Sequence, residues 1–426
     1  MSPTMNSPTH NTIFARRSLL AVVLAFAAAA CLSLTPVAAA PAKTAPAARP
    51  AAKGKAASDA PAAGATSSTT SGIETEARNA YIIDFRTGAV LLDKNADERI
   101  PPASMSKMMF YYTVFSYLKE GKAKLDDMLP VSEKAWRTQG SKMFVPLGGK
   151  VKIEDLLRGV IIQSGNDACI VLAEGLAGSE QAFVDEMNKK AQEIGLTGSH
   201  FANVTGLPDP EHYMTARDLA TLAKHIITDF PEFYKFESEK EFTYNGIRQG
   251  NRNPLLYKDV GADGLKTGHT EEAGYCLTAS AVRDNRRIIM VLAGMPTMKS
   301  RVTESERLLE WAFREFGGYT LYKPGDTVDE ADVWLGAETK VPLTVASDAV
   351  VTIPRRSRKD MKVTAVYDKP IKAPIAQGQN VGKLVVTVPG QTPTEFPLVA
   401  GASVERLGAM GRVGAALSYL VFGAKR

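Results

Sequence analysis

PPASMSKMMF, Pro101 to Phe110, sets the terms on which the rest of the chain is read. Its paired prolines suit the first turn of a helix, because their fixed φ is already helical and their missing N–H has no partner there. Residues three apart share a helix face, so the spacing brings Ser104 Oγ and Lys107 Nζ together at the first turn, with Met108, Met109, Tyr111 and Tyr112 running on into a core. A lysine aimed inward is costly unless it sheds its proton. A neutral lysine beside a hydroxyl is a base beside a nucleophile. Spacing alone cannot carry this, since Ser116 and Lys119 repeat it on the same helix, where Lys119 before Glu120-Gly121 reads as a solvated end. Ser104 differs in standing at the helix N-terminus, where free N–H groups and the helix dipole favour developing negative charge.

Two downstream segments join it. IIQSGNDACI sets Ser164-Gly165-Asn166 in a turn between apolar runs, ahead of a helix. Alone, that is ordinary turn chemistry, with Asn166 or Asp167 as a helix cap. DGLKTGHT sets Lys266-Thr267-Gly268 ahead of the strand AGYCLTASAV, and Arg86-Thr87-Gly88 shows that such a triplet also makes a plain turn. What chance does not readily supply is all of these together, in this order and at domain-scale separations.

At 426 residues the chain exceeds one ordinary core, so two or three domains are expected. NAYIIDFRTGAVLLDKN reads as two strands about a turn, and AGYCLTASAVRD and RRIIMVLAGM, over 273–295, as strands that pair with them. Between lie IEDLLRGVII, ACIVLAEGLAG and EQAFVDEMNKKAQEIGL, with apolar residues at three/four spacing, the last stopping at Gly195. SERLLEWAFREFG closes the unit as a helix ending at Gly317. Strands at both ends of a helical insertion predict an α+β domain over 73–319, one antiparallel sheet with helices packed around it. From 320 to 401 the texture changes to short β-rich runs with frequent Gly and Pro, a small separate β domain without an obvious nucleophile. Residues 402–426 place Leu407, Met410, Val413, Leu417 and Leu420 on one side, apart from Glu405, Arg406 and Arg412. The apolar part is too short to span a bilayer, so an amphipathic helix on the membrane surface is expected, with docking on the protein itself as the alternative.

The N-terminus has its own logic. Arg16-Arg17, the apolar run LLAVVLAFAAAACL and the small residues of LTPVAAA read as a secretory signal over 1–39, cut after Ala39 because Pro41 would follow a cut at Ala40 badly. An uncleaved anchor is the alternative. Cys31 lacks the leucine expected before a lipoprotein cysteine, and the arginine pair matches a twin-arginine signal poorly. Residues 40–72 are low-complexity Ala/Pro/Lys and then Ser/Thr, a mobile tether. Cys169 and Cys276 remain after processing, which makes no disulfide framework; two buried thiols or a single bridge both fit. Among the 5 histidines no pair has metal-ligand spacing and no Cys-x-x-Cys occurs, so no metal or cofactor is expected. The net charge of +5 is modest and nothing resembles a nucleic-acid module.

PPASMSKMM, QSGNDAC and DGLKTGHT resemble the three active-site motifs of the penicillin-recognising serine transferases and hydrolases. More narrowly, the Ser-Gly-Asn form, with IRQGNRNPLL and EAGYCLTASA, is similar to the low-molecular-mass D-alanyl-D-alanine carboxypeptidases of peptidase family S11. The likeness runs from about residue 74 to the tail. It implies a serine β-lactamase/transpeptidase-like fold and an exported enzyme held at the outer face of the cytoplasmic membrane. It also implies roles that the chemistry supports. Ser104 attacks the carbonyl between terminal D-alanines of peptidoglycan stem peptides and Lys107 takes its proton. Lys266, a like charge, helps to keep Lys107 neutral. Ser164 relays a proton to the leaving amine, and Asn166 holds the substrate amide. Lys266 and Thr267 bind the terminal carboxylate, while Gly268 lets the substrate backbone approach. The N–H groups of Ser104 and His269 form the oxyanion hole, and Arg301 lies near the carboxylate site or is a surface charge at a helix start. β-Lactam antibiotics are the expected covalent inhibitors. The rivals are a D,D-endopeptidase, which uses the same residues; a β-lactamase, for which no water-positioning glutamate is evident; and a non-catalytic envelope-binding protein, which would be expected to lack one of Ser104, Lys107 or Lys266.

Overall fold

The apolar runs at the two ends of the catalytic sequence meet in one sheet. The computed structural model describes residues 72–422. The expected export signal lies outside the described residues, as does the 40–72 tether except for Gly72. Strands β1 (Asn79–Asp84), β2 (Val90–Lys94), β3 (Ala262–Gly264), β4 (Thr267–Thr270), β5 (Gly274–Arg283) and β6 (Arg286–Met295) form a six-stranded antiparallel sheet. Its order is β2–β1–β6–β5–β3, with β4 also hydrogen-bonded to β5. Asn79 pairs with Ala293 and Asp84 with Ile288, so the first strand of the domain lies against nearly its last.

Alternate residues of these strands serve different cores. Ala80, Ile82, Ile288, Met290 and Leu292 pack on Leu308, Leu309 and Ala312 of helix Met298–Glu315. Tyr81, Ile83, Ile289, Val291 and Ala293 face the helical insertion. With both faces covered, the strands carry continuous apolar runs rather than alternation. Each fully buried Ile or Leu contributes roughly 1.5–3 kcal/mol.

The insertion holds helices α1 (Lys107–Lys119), α2 (Ile153–Ile161), α3 (Asn166–Ala177), α4 (Glu180–Glu193) and α5 (Ala216–Asp229). Every residue of α1 from Lys107 to Tyr117 is buried, which makes it the central helix of this core. Ser179 caps α4 by accepting the Ala182 N–H at 3.1 Å. Gly195 follows its end at φ +78°, where the sequence predicts the stop.

Three expectations need correction here. The closing helix, α6 (Met298–Glu315), stops short of Gly317. Phe316 to Tyr322 is already a strand, paired with Ala349–Pro354, so β-domain pairing begins ahead of the expected boundary at 320. Adjacent glycines disfavour continuing the helix, and Arg286 Nη1 pins the turn by donating to Phe316 O at 2.8 Å. The C-terminal helix, α7, spans Ala409–Phe422 rather than starting near 402. Val404 N–H donates to Ile375 O and Leu407 N–H to Leu335 O, which binds the preceding segment to the β domain. Among its described side chains, Met410, Val413 and Leu417 are 91%, 61% and 57% exposed.

The β domain pairs Lys362–Tyr367, Asn380–Thr387, Thr394–Ala400, Lys340–Val345, Asp329–Trp334 and Ile371–Lys372 in that order, in a six-stranded sheet. Cys169 and Cys276 are separate buried thiols, not a bridge. Among the described residues, no helix is long and apolar enough to cross a membrane.

Candidate active site

The prolines of PPASMSKMMF precede a short 3-10 turn, Ala103–Ser106, and the α-helix begins only at Lys107. The 3-10 geometry serves the pairing better than the expected α-turn, because side chains three apart eclipse one another. Ala103 enters the turn at φ +49°, a left-handed conformation that a non-glycine residue adopts only under constraint. Two glycines supply that constraint. A Cβ on Gly206 would stand 2.1 Å from Ala103 O, and one on Gly268 would stand 2.8 Å from Pro102 O. Gly268 therefore makes room for the Ser104 turn. Ser104 itself is partly exposed, while its neighbours Ala103 and Met105 are buried.

Lys107 is 0% exposed and its Nζ has three oxygen neighbours. It donates to Ser104 Oγ at 3.0 Å, to Asn166 Oδ1 at 2.8 Å and to the Thr205 carbonyl. Asn166 is oriented by its own amide donating to Gln139 O at 2.8 Å, so its oxygen faces the lysine. A carbonyl and an amide oxygen can only accept. When Nζ loses a proton its lone pair can therefore face only Ser104, the one neighbour with a hydrogen to give. The site directs a neutral lysine at the serine O–H.

Burial supplies the deprotonation. It lowers the Lys107 ammonium to about 8, with Arg252 as an added like charge and Cys169 and Asp167 opposing. Lys266 falls well below its ordinary value, again through burial first, then through Lys107 and Arg252. Arg252 weighs on both lysines, and the charge of Lys107 weighs on Lys266. Two buried cations at one site do not both keep their protons readily.

Lys266 and Thr267 are buried at the start of β4, with the backbone of Lys266 bonded to Thr278 in both directions. β4 is bonded to β5 on one side. The Ser104 turn packs against β4 at Gly268, which approaches Pro102, Ala103 and Met105. His269 pairs with Tyr275 across the hairpin and stacks on its ring at 4.0 Å, leaving the imidazole side chain exposed. Arg301 lies over the other partner of that stack, 5.5 Å from the Tyr275 ring centre. It is 7% exposed and its Nε has no hydrogen-bond partner among the described residues, so the surface-charge alternative is overturned.

Ser164 occupies the turn that leads into α3, at φ +62°. It is buried, and its Oγ is without a hydrogen-bond partner among the described residues. Asn166 and Asp167 do not cap α3. Asn166 turns to Lys107, and the Asp167 carboxylate accepts the N–H groups of Met143, Phe144 and Val145 at 2.9, 2.8 and 3.2 Å. Sequence reasoning missed that clamp. It also missed the loop Asn203–Gly206, where Asn203 Oδ1 accepts from Thr205 N, Thr205 Oγ1 and Gly206 N and so aims the Thr205 carbonyl at Lys107. Asn-Val-Thr-Gly is a recognisable Asx-turn signal, but nothing local ties it to Lys107. Arg252, which donates to Ser141 Oγ at 2.7 Å, stands inside a motif quoted for its resemblance but was given no role.

A serine on a strained turn, a buried lysine facing it and a second buried lysine just ahead of β4 form the candidate site. Residues 65–297 match the family described as D-alanyl-D-alanine carboxypeptidase, and residues 316–406 match the C-terminal domain of penicillin-binding protein 5. The D-alanyl-D-alanine carboxypeptidase DacC of Escherichia coli is 43% identical over 361 residues, which cover 83% of this chain and 90% of that protein. The crystal structure of penicillin binding protein 5 from Haemophilus influenzae superposes with a TM-score of 0.71 at 41% identity, over 78% of this chain and 99% of that one. Penicillin-binding protein D2 of Listeria monocytogenes, in its ampicillin-bound form, matches 57% of this chain and 98% of its own at 29% identity and a TM-score of 0.52. The chain belongs to the D-alanyl-D-alanine carboxypeptidase family.

Proposed function

We infer that the protein is a serine-type D-alanyl-D-alanine carboxypeptidase that trims peptidoglycan stem peptides and is acylated by penicillins. The observation that carries the mechanism is the Lys107 amine, held by two obligate acceptors so that its free electron pair can serve only Ser104. The peptide lies along the free edge of β4, and its terminal carboxylate meets Lys266 and Thr267, with Arg301 behind Tyr275 adding positive potential. Arrival of that carboxylate favours a proton on Lys266, and the resulting cation disfavours a second one on Lys107. Lys107 then takes the Ser104 hydroxyl proton as Oγ attacks the carbonyl between the D-alanines. The oxyanion is held by N–H groups of Ser104 and His269. Ser164 passes a proton to the departing D-alanine amine, leaving an ester on Ser104 that water hydrolyses through the same base.

The exposed apolar side of α7 supports a further part of the reading: the mature chain is exported and rests on the outer face of the cytoplasmic membrane through this helix. The test of activity is release of D-alanine from a peptide ending in D-Ala-D-Ala, together with penicillin labelling of the intact protein. Ser104→Ala should abolish both. Label that persists in Ser104→Ala removes the nucleophile assignment.

A further inference from the structure

The three segments that meet at the Ser104 turn also enclose a second cavity. Gly206 and Gly268 both press on the backbone of that turn. Ahead of the turn stand Ile100 and Pro101, past Gly206 come residues 208–213, and past Gly268 the strand β4 gives way to a turn that carries Glu272. Together with Arg99 these residues line a cavity of about 530 Å³. Backbone contacts fix its walls. Ile100 and Met214 exchange both main-chain hydrogen bonds, at 2.8 and 3.0 Å. Arg78 Nη2 donates to the carbonyls of Glu272 and Ala273 at 2.9 and 3.1 Å.

The lining carries charge that the protein does not itself neutralise. Asp209, Glu211 and Glu272 are exposed, and none has an ion-pair partner among the described residues. Asp209 accepts the Glu211 N–H at 2.8 Å, which orders the loop without cancelling its charge. Arg99 is set over the Tyr213 ring, 4.3 Å from its centre, rather than on a carboxylate. Carboxylates outnumber cations in the lining, so the cavity favours a positively charged guest. His212 gives a second sign that a guest belongs here. It lines the same cavity and is 3% exposed, with Nδ1 accepting the Ala202 N–H at 3.1 Å. Burial lowers this imidazole to about 4, so the ring is neutral and its hydrogen is on Nε2, the nitrogen turned away from the loop backbone. That N–H has no hydrogen-bond partner among the described residues, a costly state for a buried donor. The cavity thus offers carboxylates to an ammonium and a directed N–H to a carbonyl oxygen, the two polar features of a peptide residue with an amino side chain.

The direction of the substrate brings such a residue to this place. With the terminal carboxylate at Lys266 and Thr267 and the scissile carbonyl at the His269 N–H, the peptide ahead of the cut continues along β4 towards Thr270. An extended chain advances about 3.4 Å per residue, so the residue before the two D-alanines passes Thr270 and its side chain extends beside Glu272. We propose that this cavity is a subsite for the free side-chain amine of that residue, with Glu272, Glu211 and Asp209 as its counter-charges, and that it selects stem peptides whose amine is unreacted. A stem whose amine has been consumed in a cross-link presents a neutral amide there, with a second peptide attached. The selection is therefore a difference in affinity between charged and acylated side chains. It rests on the reading of Lys266 and Thr267 as the carboxylate anchor.

The experiment gives the full chain two probes, Nα-acetyl-L-lysyl-D-alanyl-D-alanine and its Nα,Nε-diacetyl form. Wild type should release D-alanine from the free-amine peptide with a kcat/KM about tenfold higher, as expected for two or three exposed charge pairs. The preference should fall below threefold in the double variant Glu211→Gln/Glu272→Gln, whose two positions are exposed. Damage to the fold would lower both rates and leave their ratio intact, so a preference that persists in the double variant overturns the proposal. So does a wild-type preference under twofold. Calorimetric binding of the same probes to Ser104→Ala separates the subsite from the chemistry. Binding of the free-amine peptide about tenfold more tightly, lost when the double variant is added, supports the subsite. Should wild type hydrolyse neither probe while that binding difference holds, the carboxypeptidase reading falls and the subsite stands. Equal binding of the two probes overturns the subsite.

Discussion

Replacing Gly206 with alanine tests the claim that the serine turn is held in place by backbone contact. Gly206 has φ +77°, and its added methyl would stand 2.1 Å from Ala103 O, 2.6 Å from Ala103 C and 2.7 Å from Ser106 Oγ. Ordinary contact for such a carbon begins at 3.4 Å, so the oxygen has to retreat by about 1.3 Å (3.4 − 2.1). Ala103 O belongs to the residue before the nucleophile, and a misplacement of about 1 Å at a reacting group costs on the order of a hundredfold in rate. The left-handed backbone adds roughly 1–2 kcal/mol of instability. Gly178→Ala separates the two effects, because Gly178 has φ +80° with nothing within 4 Å of its added methyl. Both variants should lose stability in thermal melts. Only Gly206→Ala should lose about a hundredfold in the second-order rate of acylation by a fluorescent penicillin. If Gly206→Ala acylates within threefold of Gly178→Ala, the turn is not held as described.

Other outcomes follow from the same geometry. Lys107→Met should abolish acylation, and its stability relative to wild type, measured by urea unfolding, should depend on pH. Lys107 carries a folded pKa of about 8 against 10.5 unfolded, so the unfolded chain binds the extra proton between those values. The native state is therefore penalised below pH 8, by at most about 3 kcal/mol, and the penalty fades as pH rises towards 10.5. Over that window wild type should gain stability relative to Lys107→Met; a difference that stays constant refutes the buried cation. Wild-type acylation should rise with pH through about 8, as the fraction of neutral Lys107 grows, and a flat profile from pH 6 to 8.5 would remove Lys107 as the base. Truncation before Ala409 should release the protein from anionic vesicles in a sedimentation assay while leaving D-alanine release unchanged, because the segment through Leu407 stays paired with the β domain. Continued sedimentation would place the membrane contact elsewhere.

Much of the sheet was legible because its signal is repetitive. β1 and β6 bury residues on both faces, and continuous apolar runs of strand length say so without any knowledge of partners. The seam at Phe316 was less legible, since a helix end and a strand start share Phe-Gly-Gly, and the bond from Arg286 that marks the change comes from 30 positions away. The direction of α7's apolar side was open for a similar reason. A sequence pattern defines a stripe, while exposure depends on whether another surface is there to meet it.

The linear order of residues was enough to pick out the candidate site: Ser104 and Lys107 are three apart, and Lys266 and Thr267 are adjacent, so each pair meets through local geometry. Folding alone settled what surrounds them. Lys107 finds Asn166 across 59 positions and the Thr205 carbonyl across 98, and the glycines that brace its turn come from the Thr205 loop and from β4. A backbone carbonyl has no side-chain signature, and a glycine's reason for being small is whatever lies opposite it. Both become visible once distant segments are packed together, since burial, which lowers the lysine's hold on its proton, belongs to the assembled core and to no single stretch of chain.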